Sequence, residues 1–182
     1  MPKLISIEGD RAIPAEDAFA FVADDEEIPA GGDIIVSLAR FQSEGDSLLA
    51  AGRRVGVRLQ PSEEVETLAY DLPRLAVVEL AFPKFRDGRP YSAARLLRER
   101  FAYGGQVRAV GEVLREQAQF MLRSGFDAFV PSDGSGPAEW QAATRRYRHV
   151  YQRGADHRVP IYAERAGLAV ARPAKEELEH GL

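Results

Sequence analysis

The chain has no cysteine, and that absence removes whole classes of chemistry. Without thiols its 182 residues hold no disulfide, no thiolate nucleophile, no Cys-ligated zinc and no Cys-ligated iron–sulfur cluster. Histidine is scarce as well, at three residues. His149 and His157 lie eight apart, His180 is near the end, and no acidic residue stands at a recognised ligand spacing from any of them, so no metal is expected. No apolar run approaches the roughly 18 residues of a membrane span, and the first residues lack the basic-then-apolar pattern of a secretory leader. These absences lead us to expect a cytoplasmic protein with no membrane contact. Nucleic acid is not an expected partner, because the net charge is −4.

What is present suits one well-buried domain: 45% of the residues are hydrophobic, and chains of this size bury roughly 70% of their unfolded surface. The net charge conceals a division. Residues 1–80 carry 7 basic and 16 acidic side chains, whereas residues 81–154 carry 13 and 7. A basic half can steer anionic ligands or an acidic protein surface toward a site. The same charges also suit solvated helix faces.

Three regions are expected. Residues 1–32 read as a lead-in with one short strand at Leu4–Ile7 and an acidic loop at Asp24-Asp25-Glu26-Glu27. Residues 33–154 read as an α/β domain. Its strands are Asp33–Leu38, Val55–Leu59, Leu75–Ala81, Gln106–Val110 and Phe126–Val130, short β-branched runs of the kind found in sheets covered on both faces. Between them, helical spacing or flanking glycine and proline predict helices at Gly45–Ala51, from Pro61 to Leu72, at Ser92–Phe101 and at Glu112–Ser124. A last long helix is predicted from Pro137, with Trp140, Ala143, Thr144, Tyr147 and Tyr151 in register. Residues 155–182 are polar and without sustained period, and read as an arm.

About five strands alternating with helices call for parallel pairing, since parallel neighbours need crossover connections. The first choice is an open three-layer sheet of the flavodoxin or Rossmann kind. A partial (β/α) barrel gives the same string of elements. In both, functional groups gather where strands hand over to helices.

The strand-to-helix stretch Phe82–Ser92 is the richest such place. Lys84, Arg86, Asp87 and Arg89 crowd into it, and Ser92 and Arg95 follow. Arginine offers a planar two-pronged donor and lysine a mobile point charge, with Asp87 able to orient one arginine, so an oxyanion or an acidic partner surface suits the cluster. The pattern equally fits an Asp87–arginine pair that braces a long loop, and Ser92 reads as a helix cap. Gly134-Ser135-Gly136-Pro137 lacks the Lys-Ser/Thr of a phosphate-binding loop and the spacing of a dinucleotide fingerprint. No cofactor is evident, and no catalytic residue can be named.

The segment Phe82-Pro83-Lys84-Phe85-Arg86-Asp87-Gly88-Arg89, with Tyr91-Ser92, Ala94–Phe101, Arg108-Ala109-Val110-Gly111, Val113-Leu114-Arg115 and Gly125–Phe129, closely resembles a bacterial domain-of-unknown-function family, number 934. The resemblance is dense over about 50 residues and looser over 33–130. Pro90 departs from it where glycine is common, Glu112 and Glu116 where aspartate is common, and Ser124 where cysteine is frequent. Members are described as oxidoreductases of sulfite reduction. The resemblance therefore implies an accessory or oxidoreductase-associated protein of assimilatory sulfate and sulfite reduction, partnered by sulfite reductase or another sulfur-assimilation protein. Sulfite reduction needs six electrons, and no flavin, nicotinamide, haem or cluster motif is present to carry them, so the redox centre is expected on a partner. The alternatives are a non-catalytic interaction module and a small enzyme acting on a phosphorylated or sulfated metabolite. A homo-oligomer is compatible with all three.

Overall fold

The computed structural model of the chain describes residues 4–167. Its N-terminal region supplies three strands, β1 (Leu4–Glu8), β2 (Arg11–Ala15) and β3 (Phe19–Phe21). Five more follow: β4 (Asp33–Ser37), β5 (Val55–Leu59), β6 (Val77–Phe82), β7 (Gln106–Gly111) and β8 (Ala128–Phe129). The helices are α1 (Leu38–Ala50), α2 (Arg89–Glu99), α3 (Ala118–Ser124), α4 (Pro137–Thr144) and α5 (Ile161–Arg165).

All the strands join one eight-stranded sheet in the order β2-β1-β8-β7-β6-β5-β4-β3. The strands β3 to β8 are parallel and stand in chain order, while β1 runs antiparallel to both β2 and β8. This corrects two expectations. The parallel strands number six, not about five, with an antiparallel hairpin added at one edge. The sheet is also not doubly wound: right-handed crossovers between strands in monotonic order place every helix on the same face. The result is a curled half-barrel, the second of the two architectures the sequence allows.

The curl follows from chain length. β2 and β3 are opposite edges of the sheet, yet only Glu16, Asp17 and Ala18 join them. Four Cα steps reach at most about 15 Å. Eight flat strands at about 4.8 Å spacing would hold the edges roughly 34 Å apart. The sheet therefore bends until its edges approach across that link.

The helix-covered face is apolar throughout. Ile34, Val36, Val57, Leu59, Val78, Leu80, Val107, Ala109 and Phe129 alternate along the strands and pack in one cluster with Leu38, Phe41 and Leu48 of α1, Ala94 and Leu97 of α2, and Trp140 of α4. The indole of Trp140 stacks on Phe129 with centroids 4.5 Å apart and donates its Nε1–H to Ser135 Oγ at 2.9 Å. α1 starts as soon as β4 ends because Ser37 caps it: the hydroxyl accepts from the Arg40 backbone N–H at 3.1 Å. Such a cap is worth about 1 kcal/mol.

Other elements differ from expectation for local reasons. The predicted helix from Pro61 to Leu72 is two short 3₁₀ turns, Val65–Leu68 and Leu72–Arg74. Prolines at both ends leave too few residues for cooperative α-helix, and the buried Val65, Leu68 and Leu72 satisfy the helical spacing as turns. The last long helix stops at Thr144, so Trp140 is buried while Tyr147 and Tyr151 are exposed. Part of the predicted C-terminal arm, residues 168–182, lies outside the described residues. Within 155–167 the chain packs back on α3: the Ala155 N–H donates to Arg123 O at 2.8 Å and Ala163 is buried. Among the described residues no helix is long and apolar enough to cross a membrane.

Candidate functional site

The stretch between β6 and α2 leaves the sheet at Phe82, which is fully buried against Tyr91 and Phe126. From there the loop is held open by the next strand. Gly111 closes β7 at φ +96°, and a Cβ there would sit 2.4 Å from the Phe82 carbonyl oxygen, so only glycine lets the two backbones meet. The chain after Gly111 then grips the loop. Glu112 Oε2 accepts from the Phe85 backbone N–H at 2.8 Å, and Gln117 Nε2 donates to the Phe85 carbonyl at 3.2 Å. Both backbone groups of Phe85 are thereby fixed by side chains, and the residue is 42% exposed.

Around that ring the six residues singled out from the sequence separate into different situations. Lys84 and Arg86 flank Phe85, are exposed, and make no ion pair or side-chain hydrogen bond among the described residues. Asp87 and Arg89 are committed to each other: Oδ1 accepts from the Arg89 backbone N–H and Nε at 3.1 and 2.9 Å, and Oδ2 from Nη2 at 2.6 Å. This hydrogen-bonded guanidinium holds the Asp87 carboxyl below the usual carboxylate range and raises Arg89. Arg95, six residues further along α2, pairs with Glu99 at 2.8 Å. Ser92 is not the cap. α2 begins three residues earlier, with Gly88 before it and Pro90 in its first turn, where a locked φ and a missing N–H cost nothing. The structure therefore joins Asp87 with Arg89, leaves Lys84 and Arg86 available beside an aromatic ring, and leaves Ser92 and Arg95 outside that group.

A second constellation, on the inner face of the curl, was missed from sequence. Ser37, Arg58, Glu79, Arg108 and Ala128 stand in one register across five adjacent strands. Glu79 and Arg108 are each only 2% exposed. Arg58 Nε donates to Glu79 Oε2 at 2.7 Å, and Arg108 Nη1 donates to Glu79 Oε1 at 3.2 Å. Asp17, on the three-residue edge link, accepts from Arg108 Nη1 with both oxygens at 3.0 Å. The guanidinium of Arg58 lies 3.6 Å from the centroid of Phe21. Two cations and two anions thus form a neutral ladder that ties the link to the middle of the sheet. The available signal was a charged residue at the same register inside three successive apolar runs, VGVRL, VVELAF and QVRAVG. Such residues face inward together once the strands are paired.

A third cluster braces the opposite end of the strands. Arg98 donates to the carbonyls of Gly125 and Gly105 at 2.9 and 2.8 Å and to Asp127 Oδ2 at 2.6 Å, locking α2 to the chain before β7 and β8. Among the described residues no group of three or more His, Asp or Glu side chains is placed to hold a metal ion. Chemically, the loop at 84–86 can present charge and an aromatic face to a partner, whereas the inner ladder is internally neutralised.

No curated protein matches the chain. A family model does, over residues 56–162, from β5 into α5; it covers the loop between β6 and α2, two of the three strands that carry the ladder's charges entire, and all but the first residue of the remaining one. The family is described as a bacterial protein of unknown function, DUF934, and the chain belongs to it.

Proposed function

We propose that this protein is an accessory component of assimilatory sulfite reduction that docks an acidic surface of a partner protein on Lys84, Phe85 and Arg86. The observation that carries the docking reading is the exposed Phe85, its backbone clamped by Glu112 and Gln117 and its side chain flanked by two uncommitted cations. Rigid aromatic anchors beside charge dominate interface energetics because little conformational freedom is lost when they are covered. The sulfite-reduction context comes from the family resemblance, and the redox centre is assigned to the partner. A small oxyanion is a poorer fit to this loop. Its best two-pronged donor, Arg89, is filled by Asp87, and the hollow beside Arg89 is only ≈ 40 Å³.

A strain lacking the protein, grown on sulfate, sulfite, sulfide or cysteine as sole sulfur source, tests both parts. Failure on sulfate and sulfite with rescue by sulfide is expected. Complementation by the wild type but not by Phe85→Asp or by Lys84→Glu/Arg86→Glu, each shown to be folded, assigns the defect to the loop. Normal growth of the deletion strain on all four sources removes the pathway. Full complementation by the loop variants removes the docking surface.

A further inference from the structure

A small hollow of ≈ 320 Å³ opens between α3 and α4, and its aromatic borders are exposed. Phe120 of α3 and Tyr147, just beyond α4, both line it and stand 59% and 51% exposed. From α4 it takes Ala142 and Ala143, whose methyl groups keep that wall low and apolar. The volume is at the lower end of the roughly 300–1,000 Å³ of small-molecule sites, which suits one large side chain better than a cofactor. Two large aromatic surfaces left in water around an apolar hollow mark a contact surface, because covering them is favourable.

The charges around the hollow are not all spent. Glu139 Oε2 accepts from the Gly136 backbone N–H at 3.0 Å, and Glu116 lies 3.6 Å from Arg115. Arg146 makes no ion pair and no side-chain hydrogen bond among the described residues, and its guanidinium lies 5.9 Å from the Tyr147 centroid. Two aromatic rings and one uncommitted guanidinium therefore border the same small volume. This repeats the chemistry of Phe85 with Lys84 and Arg86, and the two places share a support. The 3₁₀ turn Arg115–Gln117 gives Arg115 and Glu116 to the hollow, while its Gln117 side chain holds the Phe85 carbonyl at 3.2 Å. A partner that covers the loop meets the hollow across one turn.

We infer that this hollow is the second half of the docking surface: it receives a large apolar side chain of the partner between Phe120 and Tyr147, and Arg146 receives a carboxylate next to that side chain. The partner thereby presents an acidic segment with an aromatic or long aliphatic anchor, the kind of residue that dominates groove binding. That one partner covers both places rests on the docking reading of the 84–86 loop; the binding property of the hollow does not.

NMR titration of the isotope-labelled full chain at constant ionic strength with acetyl-Trp-Glu-Glu-amide tests the hollow, with acetyl-Trp-Lys-Lys-amide and acetyl-Ala-Glu-Glu-amide as controls. The first peptide is expected to bind with Kd below about 3 mM, as suits a single anchor, and to shift the amides of Phe120, Ala142, Ala143 and Tyr147. Each control should bind at least about fivefold more weakly. Ala142→Leu keeps a good helix former, fills the hollow and should abolish binding with no loss of Tm. Arg146→Gln should bring the Glu peptide down to the affinity of the Lys peptide. No shift up to about 10 mM overturns the inference. So does a control that binds as tightly, unchanged affinity in Ala142→Leu, or shifts confined to residues 84–86, which would leave the loop as the whole docking surface. In the strain lacking the protein, Ala142→Leu should fail to complement on sulfate, as the loop variants do. Full complementation by Ala142→Leu where the loop variants fail overturns the shared partner and leaves the loop reading standing. Normal growth of the deletion strain removes the pathway reading instead, and the titration alone then decides the hollow.

Discussion

The two faces of the one sheet are built on opposite terms. Toward the helices, Val57, Leu80 and Ala109 offer only hydrocarbon, and burial alone holds them. Toward the inside of the curl, the adjacent residues Glu79 and Arg108 bring full charges into a region just as dry, with Arg58 partly exposed beside them. The outer face is indifferent to partner identity, and any well-packed apolar side chain serves. The inner face works only if every charge has its counterpart. The difference shows that strand alternation here separates stability from register: the outer face supplies the driving force, and the inner face specifies which strands and which link must meet.

Breaking the inner face should cost most. Arg108→Met leaves Glu79 with Arg58 alone and releases Asp17, and a loss toward the lower end of the roughly 3–5 kcal/mol that cutting a buried pair on one side costs is expected in urea unfolding. Adding Glu79→Met should return part of that loss, because the fully buried charge goes and the Arg58 it unpairs has a side chain 25% exposed, within reach of solvent. A double variant no more stable than Arg108→Met would mean that the two faces do not differ as described. On the outer face Leu80→Ala should cost about 2–5 kcal/mol, from lost transfer energy plus a cavity, and no second substitution of charge should restore it.

Smaller effects sharpen the contrast. Asp17→Asn keeps the shape of the link and removes its charge. Its side chain is 37% exposed, so solvent screens the pair with Arg108, and a loss of only about 0.5–1 kcal/mol is expected in the same measurement. A loss as large as that of Arg108→Met would make the link, not the buried ladder, the controlling element. At the surface, Asp87 should titrate below its ordinary value of 3.8 in a carboxyl NMR titration, and Arg89→Ala should return it toward that value. Because its folded value is depressed, the contribution of this pair is present above the unfolded value and lost as pH falls through the folded one. A midpoint at or above 3.8 in the wild type would dissolve the pair.

Much of the parallel part of the fold was legible. β4, β5, β6 and β7 fall on the apolar, β-branched runs that announce them, because a strand covered on both faces leaves an unmistakable composition. The edges were not legible. Phe19–Phe21 is too short and too exposed to show a pattern, and Arg11–Ala15 contains Pro14, which an edge tolerates but sequence reading counts against a strand. Missing them concealed the curl, and with it the inner face. The loop at 82–92 could be located because charge, glycine and proline concentrate there. Which of its cations are free could not, since that depends on Asp87 choosing Arg89 and on Glu112 and Gln117 reaching back from beyond β7.

The pairing of β1 with β8 also fixes when the molecule can be finished. Ile5 lies opposite Phe129, 124 residues later in the chain. During synthesis at about 5–20 residues per second, the first strand must wait roughly 6–25 s before its neighbour exists. Until then the edge of β1 that β8 will cover is bare. Closure of the sheet thus cannot precede the synthesis of β8, and an N-terminal fusion that captures the hairpin should trap an open, association-prone sheet.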